Sequence, residues 1–336
     1  MSCETQANWR SNLINRYREM KKPKIPTWLK VFFSRKAEYK IACGGSKGVF
    51  VFGDKAISIQ ERERDKRKRK RQKVRIKQIK ERLSHIPWKY RKHFNFYDKQ
   101  FEWEGFVFRR LAACPLGTLD DLLFSGKYDL EQRLLKDLIA ALNEAHKVGL
   151  IISDLKPDNI MLCKCFCLSF IDLDSAIPLP YTDGRVYSTN WWNILSQAKD
   201  YNLVANRIER LFKSSDWIAI SLVVMLHYAM RLYDPDKVLQ DQNNITRRVY
   251  SDWKTRDLTY DEIRLLINDL DFKTCCSNID GLGDSLGPAA HAVLRSFNYT
   301  WKTLPDQDTI DELIRVSIDG KRTRQIKKSL GVYLKL

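Results

Sequence analysis

The chain is 336 residues long and 44% hydrophobic, enough to bury a large core, which excludes disorder as the whole answer. Its formal charge of +18 is an N-terminal property: residues 1–110 hold 31 lysines and arginines against 11 acids, and residues 111–336 hold 28 against 30. A positive field confined to the first third favours acidic partners, whether phosphates, nucleic acid, an anionic membrane or an acidic protein surface.

The longest apolar run, Ile218 to Leu226, falls short of the ~20 residues that cross a bilayer, so no transmembrane helix is expected. No apolar stretch with a small-residue cleavage site follows Met1. Eight cysteines, with Cys275 and Cys276 adjacent, make a poor disulfide framework. An intracellular, reducing compartment, cytoplasm or nucleus, is expected.

Residues 1–36 read as a basic N-terminal extension, in which Trp9, Leu13, Ile14 and Tyr17 share a helical face until Pro23 and Pro26 end it. Tyr39 to Gln60 reads as two strands joined by a tight turn at Gly53-Asp54. The basic run Arg64 to Arg71 then feeds a helix with the apolar stripe Val74, Ile76, Ile79 and Leu83. A strand over Phe101 to Leu111, helices over 119–126 and 130–147, and short strands and loops over 150–162 and 168–173 follow. The apolar helix after Asp216 opens a helical remainder. Strands first and helices later suggest two lobes in an α+β arrangement.

The chemistry concentrates in Ile152-Ser153-Asp154-Leu155-Lys156-Pro157-Asp158-Asn159, followed after a short hairpin by Ile171-Asp172-Leu173-Asp174. This resembles the catalytic loop of eukaryotic-type protein kinases, H-R-D-x-x-x-x-N, with the metal-binding D-F-G at the expected distance downstream. The resemblance implies that Asp154 accepts or orients the substrate hydroxyl proton and that Lys156 neutralises charge on the transferred phosphate. It also implies that Asn159 and Asp172 hold Mg²⁺, an ion that takes hard oxygen ligands. The lysine two positions after the aspartate resembles the Ser/Thr-specific branch. Upstream, Cys43-Gly44-Gly45-Ser46-Lys47-Gly48-Val49-Phe50 is similar to the family's G-x-G-x-x-G-x-V, whose backbone approaches ATP phosphates closely. On this alignment Gly44, Gly45, Ser46, Lys47, Gly48, Phe50 and Ala56 bind the nucleotide.

Downstream, Ser215-Asp216-Trp217 resembles the start of the helix whose aspartate, in the family, hydrogen-bonds the catalytic-loop backbone; an Asp N-cap on any buried helix reads the same way. Tyr187 to Trp192 stands where the family has its peptide-positioning loop, with Ile194-Leu195 in place of Pro-Glu.

Four departures matter. Asp54-Lys55-Ala56-Ile57-Ser58 aligns with the strand motif V-A-I-K and puts Ser58 where the phosphate-gripping lysine belongs. Lys55 faces away from Ala56 and Ser58 by strand alternation and cannot simply replace that lysine; resemblance to the with-no-lysine branch implies that Lys47, in the glycine turn, reaches the phosphates instead. The helix partner of the absent lysine is missing as well, since Glu81 is the one acid between Asp65 and His85. Finally, Ile152-Ser153 replaces His-Arg, so activity independent of activation-loop phosphorylation is expected, and Asp174 replaces the glycine of D-F-G.

Cys163, Cys165 and Cys167 alternate without a fourth ligand nearby and read as core thiols; none of the five histidines has metal or triad spacing. The resemblance implies a two-lobed protein-kinase-like fold. Its parts are the extension at 1–36, a small strand-rich N-lobe at 37–110 and a larger helical C-lobe at 111–330. The expected function is an ATP- and Mg²⁺-dependent Ser/Thr protein kinase acting on a protein substrate, with an acidic or nucleic-acid partner at residues 62–82. The alternative is a catalytically inactive scaffold that holds such a partner. A small-molecule kinase is disfavoured by Lys156-Pro157.

Overall fold

The computed structural model describes residues 3–20, 24–34, 37–42, 47–114, 116–119, 132–163, 165–180, 205–232, 286–296 and 304–318. The expected helix over 119–126, the segment 187–195, and Gly44, Gly45 and Ser46 of the glycine turn lie wholly or mostly outside these residues. The protein is mixed α+β, with a five-stranded antiparallel sheet and several helices. It divides into two compact units, one of 1–73 with 95–115 and one of 74–94 with 116–336.

In the first unit the strands are β1 (Lys40–Ala42), β2 (Gly48–Phe52), β3 (Lys55–Glu61), β4 (Lys99–Trp103) and β5 (Phe106–Ala112), in the spatial order β1-β2-β3-β5-β4. The expected turn at Gly53-Asp54 joins β2 to β3, with Gly53 in the left-handed region at φ 61°. Tyr39 to Gln60 therefore yields three strands where two were expected.

One sheet face carries an aromatic core. Helix α1 (Cys3–Glu19) and the short α2 (Lys30–Phe33) pack on it, so Leu13, Ile14, Phe32 and Phe33 share a cluster with Phe50, Ile57, Ile59 and Phe108. The Phe32 ring meets Phe50 and Phe108 edge-on at 5.3 and 5.6 Å, the geometry that ring quadrupoles favour. Arg10 clamps the connection between these helices. Its Nε donates to the Phe32 carbonyl at 3.0 Å and its Nη2 to that of Ser34 at 2.7 Å, while its guanidinium lies 4.2 Å from the Tyr39 ring centroid. The N-terminal helix is thus part of this unit's core.

Helix α3 (Lys66–His85) contains the basic run. Asp65 caps it, accepting the backbone N–H of Arg67 at 2.7 Å and of Lys68 at 3.2 Å. Of its apolar stripe only Ile79 is fully buried, and Val74 is half exposed.

The second unit holds the rest of α3, α4 (Trp88–Arg91), α5 (Gln132–Lys147), and α6 (Ala205–Leu232) with α7 (Leu286–Ser296) and α8 (Gln307–Ile318). Leu134, Leu135, Leu138, Ile139, Leu142 and Ala145 give α5 one buried face. In α6, every residue from Ser214 to Met225 is buried, which identifies a core helix. Helix α7 packs on α6, and α8 packs on both α7 and α5. The small strands are β6 (Leu150–Ile151) paired with β9 (Ile177–Pro178), and the hairpin of β7 (Ile160–Leu162) with β8 (Leu168–Phe170). Among the described residues no helix is long and apolar enough to cross a membrane.

Candidate active site

Helix α5 ends at Lys147, and Gly149, at a left-handed φ of 74°, turns the chain into β6. The loop after β6 bends again at Ser153, a non-glycine residue at φ 64°, where the Asp154 N–H donates to the Ile152 carbonyl at 2.9 Å across a three-residue turn. Such a backbone needs outside support. Asp216 supplies it: its Oδ2 accepts the Ile152 N–H at 2.8 Å and its Oδ1 the Ser153 N–H at 2.9 Å. His146 Nε2 also meets Oδ2, at 2.8 Å. Asp216 is 1% exposed and lies well inside α6, which begins at Ala205, so the N-cap reading of this residue fails.

The strained turn presents Asp154. Asn159 holds that residue twice, donating from Nδ2 to the Asp154 carbonyl at 2.9 Å and to its Oδ2 at 2.7 Å. Lys156 Nζ stands 3.9 Å from Oδ1. Both side chains remain about a quarter exposed, so the carboxylate and ammonium are accessible to a substrate.

With its amide nitrogen engaged, Asn159 keeps Oδ1 as its acceptor end. Its backbone carbonyl accepts the Ile171 N–H at 2.9 Å, which brings the chain before Asp172 back to the loop. Asp172 is exposed and left-handed, at φ 53° and ψ 41°. Ser153 Oγ donates to the Ser175 carbonyl at 2.9 Å, closing the circuit from the Asp154 loop to the Asp172 turn. Asp154, Lys156 and Asn159 are thus held together in one loop of the second unit, and the chain on either side of Asp172 is hydrogen-bonded to that loop. An amide oxygen and a carboxylate are hard donors of the kind Mg²⁺ takes alongside substrate phosphates. Among the described residues no three His, Cys, Asp or Glu side chains converge on a metal cage.

Sequence reasoning missed Arg75 and Arg82. Their guanidinium groups donate to the Asp174 carbonyl at 2.6 Å and the Leu179 carbonyl at 2.5 Å, holding the chain on either side of β9. The signal was present, since Arg75 and Arg82 flank buried Ile79 at helical spacing on one face of α3. His146, dismissed for lack of a neighbouring partner, meets Asp216 70 residues away.

The other expected site residues lie in the first unit. Lys47 is half-buried before β2, and Gly48 is buried. The register separates Phe50 from Ala56. Phe50 pairs with Ile57 and sits fully buried in the aromatic core, whereas Ala56 pairs with Val51 on the opposite face. The assignment of Phe50 to the nucleotide is corrected accordingly: Val49 and Val51 are the β2 residues that share a face with Ala56. Ser58 is buried on that same face, and Lys55 is exposed on the other.

The β7–β8 hairpin carries the cysteines. Cys163 and Cys114 are each in a disulfide, unlike the thiols expected of a reducing compartment. Cys165 is exposed, so the core-thiol reading holds for buried Cys167 alone. The two free sulfurs are 2.6 Å apart, and the hydrogen bond from Cys167 pulls the Cys165 thiol down to about 6 while Cys167 is pushed up.

No protein-family model matches the chain, and no curated protein matches it.

Proposed function

We propose that the protein is a Mg²⁺- and ATP-dependent Ser/Thr protein kinase of divergent type, built on a two-lobed kinase-like fold. The observation that carries the reading is the Asp154–Asn159 pair on a backbone fastened by buried Asp216. A loop with no chemistry to perform has little use for a strained turn with an accessible carboxylate at its tip.

In this reading Asp154 orients the substrate hydroxyl and takes its proton, and Asn159 fixes the rotamer in which it does so. Lys156 offers its ammonium to the phosphoryl group as negative charge develops. Mg²⁺, when bound through Asn159 and Asp172, would neutralise phosphate charge. Gly44, Gly45, Ser46, Lys47, Gly48 and Ala56 are the residues the resemblance assigns to ATP, with Lys47 in place of the strand lysine.

A scaffold without catalysis is the second reading, favoured by buried Ser58 at the lysine position and by the exposed basic run of α3, which suits an acidic or nucleic-acid partner. One experiment separates them: Mg²⁺-dependent transfer of labelled γ-phosphate from ATP to the protein itself and to a basic protein substrate. Wild-type labelling that is lost in both D154N and D172N supports the kinase, and K47A should then lower it. No labelling, together with no thermal stabilisation by Mg²⁺-ATP, supports the scaffold.

A further inference from the structure

The second unit contains a cavity of about 320 Å³ that is separate from the Asp154 network. It lies at the small end of the range for ligand pockets. Among the described residues its polar lining is one-sided: Lys89, Lys92, Arg133 and Lys136 face it, against Asp137 as the one carboxylate.

The local sequence explains the convergence. Arg133, Lys136 and Asp137 recur at i, i+3 and i+4 and so share one face of α5, while Lys89 and Lys92 come from α4 and the residue after it. Among the described residues, no carboxylate lies within 4.0 Å of Lys89, Lys92 or Lys136. Cations gathered from two helices around one concavity repel one another, and an anion that fills it removes that repulsion.

The wall is rigid. Buried His93 lines the cavity, its Nδ1 donates to the Leu168 carbonyl at 2.6 Å, and its own carbonyl accepts the Phe170 N–H at 2.8 Å. The backbone beside Lys92 is thereby tied to β8.

We propose that this cavity is a binding site for a phosphate-bearing small molecule, with Lys92 and Lys136 gripping the phosphate through charge-assisted hydrogen bonds. A dianion matches an excess of cations over the single carboxylate, and a concave cavity suits a compact ligand. The inference does not depend on the chain being a kinase.

The test is calorimetric titration of pyrophosphate into the full chain at constant ionic strength, without nucleotide or Mg²⁺. Saturable binding is expected, weakened about tenfold in each of K92Q and K136Q, as loss of a charge-assisted hydrogen bond implies, and unchanged in K156Q and D172N. Each variant is checked for wild-type circular dichroism and melting temperature. No binding to the wild type overturns the proposal. Binding that persists in K92Q and K136Q but disappears in K156Q overturns it too, by placing the anion at the Asp154 loop. A short single-stranded oligonucleotide that binds through these lysines where pyrophosphate does not would overturn the small-ligand assignment in favour of a nucleic-acid surface.

Discussion

Ser58 on β3 and Arg109 on β5 are paired directly across the sheet, at 8% and 3% exposure. The guanidinium donates to Gln100 Oε1 at 3.2 Å and Gln60 Oε1 at 3.3 Å and lies 4.7 Å from the Tyr97 ring centroid. A buried cation thus already stands beside the position at which the kinase pattern has its lysine.

Restoring that lysine is therefore expected to harm the protein. Cross-strand neighbours are ~5 Å apart at Cβ, and S58K would bury a second cation against Arg109. Stability should fall by about 2–3 kcal/mol in urea denaturation. The double variant S58K/R109Q should recover part of that loss. A single variant as stable as the wild type would mean that the two side chains do not share the face.

Asp216 is expected to be the most sensitive residue of the scaffold that holds the Asp154 loop. D216A leaves two buried N–H groups and His146 without their acceptor, a loss of about 3–5 kcal/mol. D216N should fall between, because an amide accepts through one oxygen only. The check is the urea midpoint at unchanged slope; on the proposed kinase reading, D216A should also abolish γ-phosphate transfer.

His93 makes stability depend on pH. Burial, the dominant effect, holds its pKa below the ordinary value of 6.5, so the ring is neutral in the folded chain across a range where the unfolded chain takes up a proton. The contribution is fully present above pH 6.5 and is lost progressively as pH falls from there towards the folded pKa. H93Q, which does not titrate, should flatten this part of the curve of melting temperature against pH between 5 and 7. An identical slope in H93Q would assign the acid sensitivity elsewhere.

Cys165 should be the reactive thiol. Its pKa of about 6, set chiefly by the hydrogen bond from Cys167, makes it mostly thiolate at neutral pH, and it is exposed. Iodoacetamide should alkylate Cys165 ahead of Cys167, with a rate that is half-maximal near pH 6. In C167A the half-maximal pH should move up towards the ordinary thiol value of 9.0, as peptide mass spectrometry would read. An inflection unmoved by that substitution would rule out Cys167 as the cause.

Much of the local structure was legible because it is written at short range. Period-two alternation marked β3, helical periodicity marked α5, and Gly53 marked the turn between β2 and β3, whereas the one strand expected over Phe101 to Leu111 is two, β4 and β5, turned at Glu104-Gly105. The Asp154–Asn159 pairing was also within reach, since both residues belong to one loop five positions apart.

What lay beyond the sequence depends on contacts between distant segments. Periodicity puts Phe50 in a strand, but the face it takes follows from pairing with Ile57 and from α1 and α2 covering that side. Asp216 reads equally as a helix cap until α6 is seen to start eleven residues earlier and the loop 63 residues upstream is seen to need its two oxygens. The composition and spacing of this chain determined its elements, its basic first third and the residues that resemble a catalytic loop. Tertiary structure alone decided which of them meet, because hydrogen-bond acceptors, register and burial are properties of the folded neighbourhood and no local pattern encodes them.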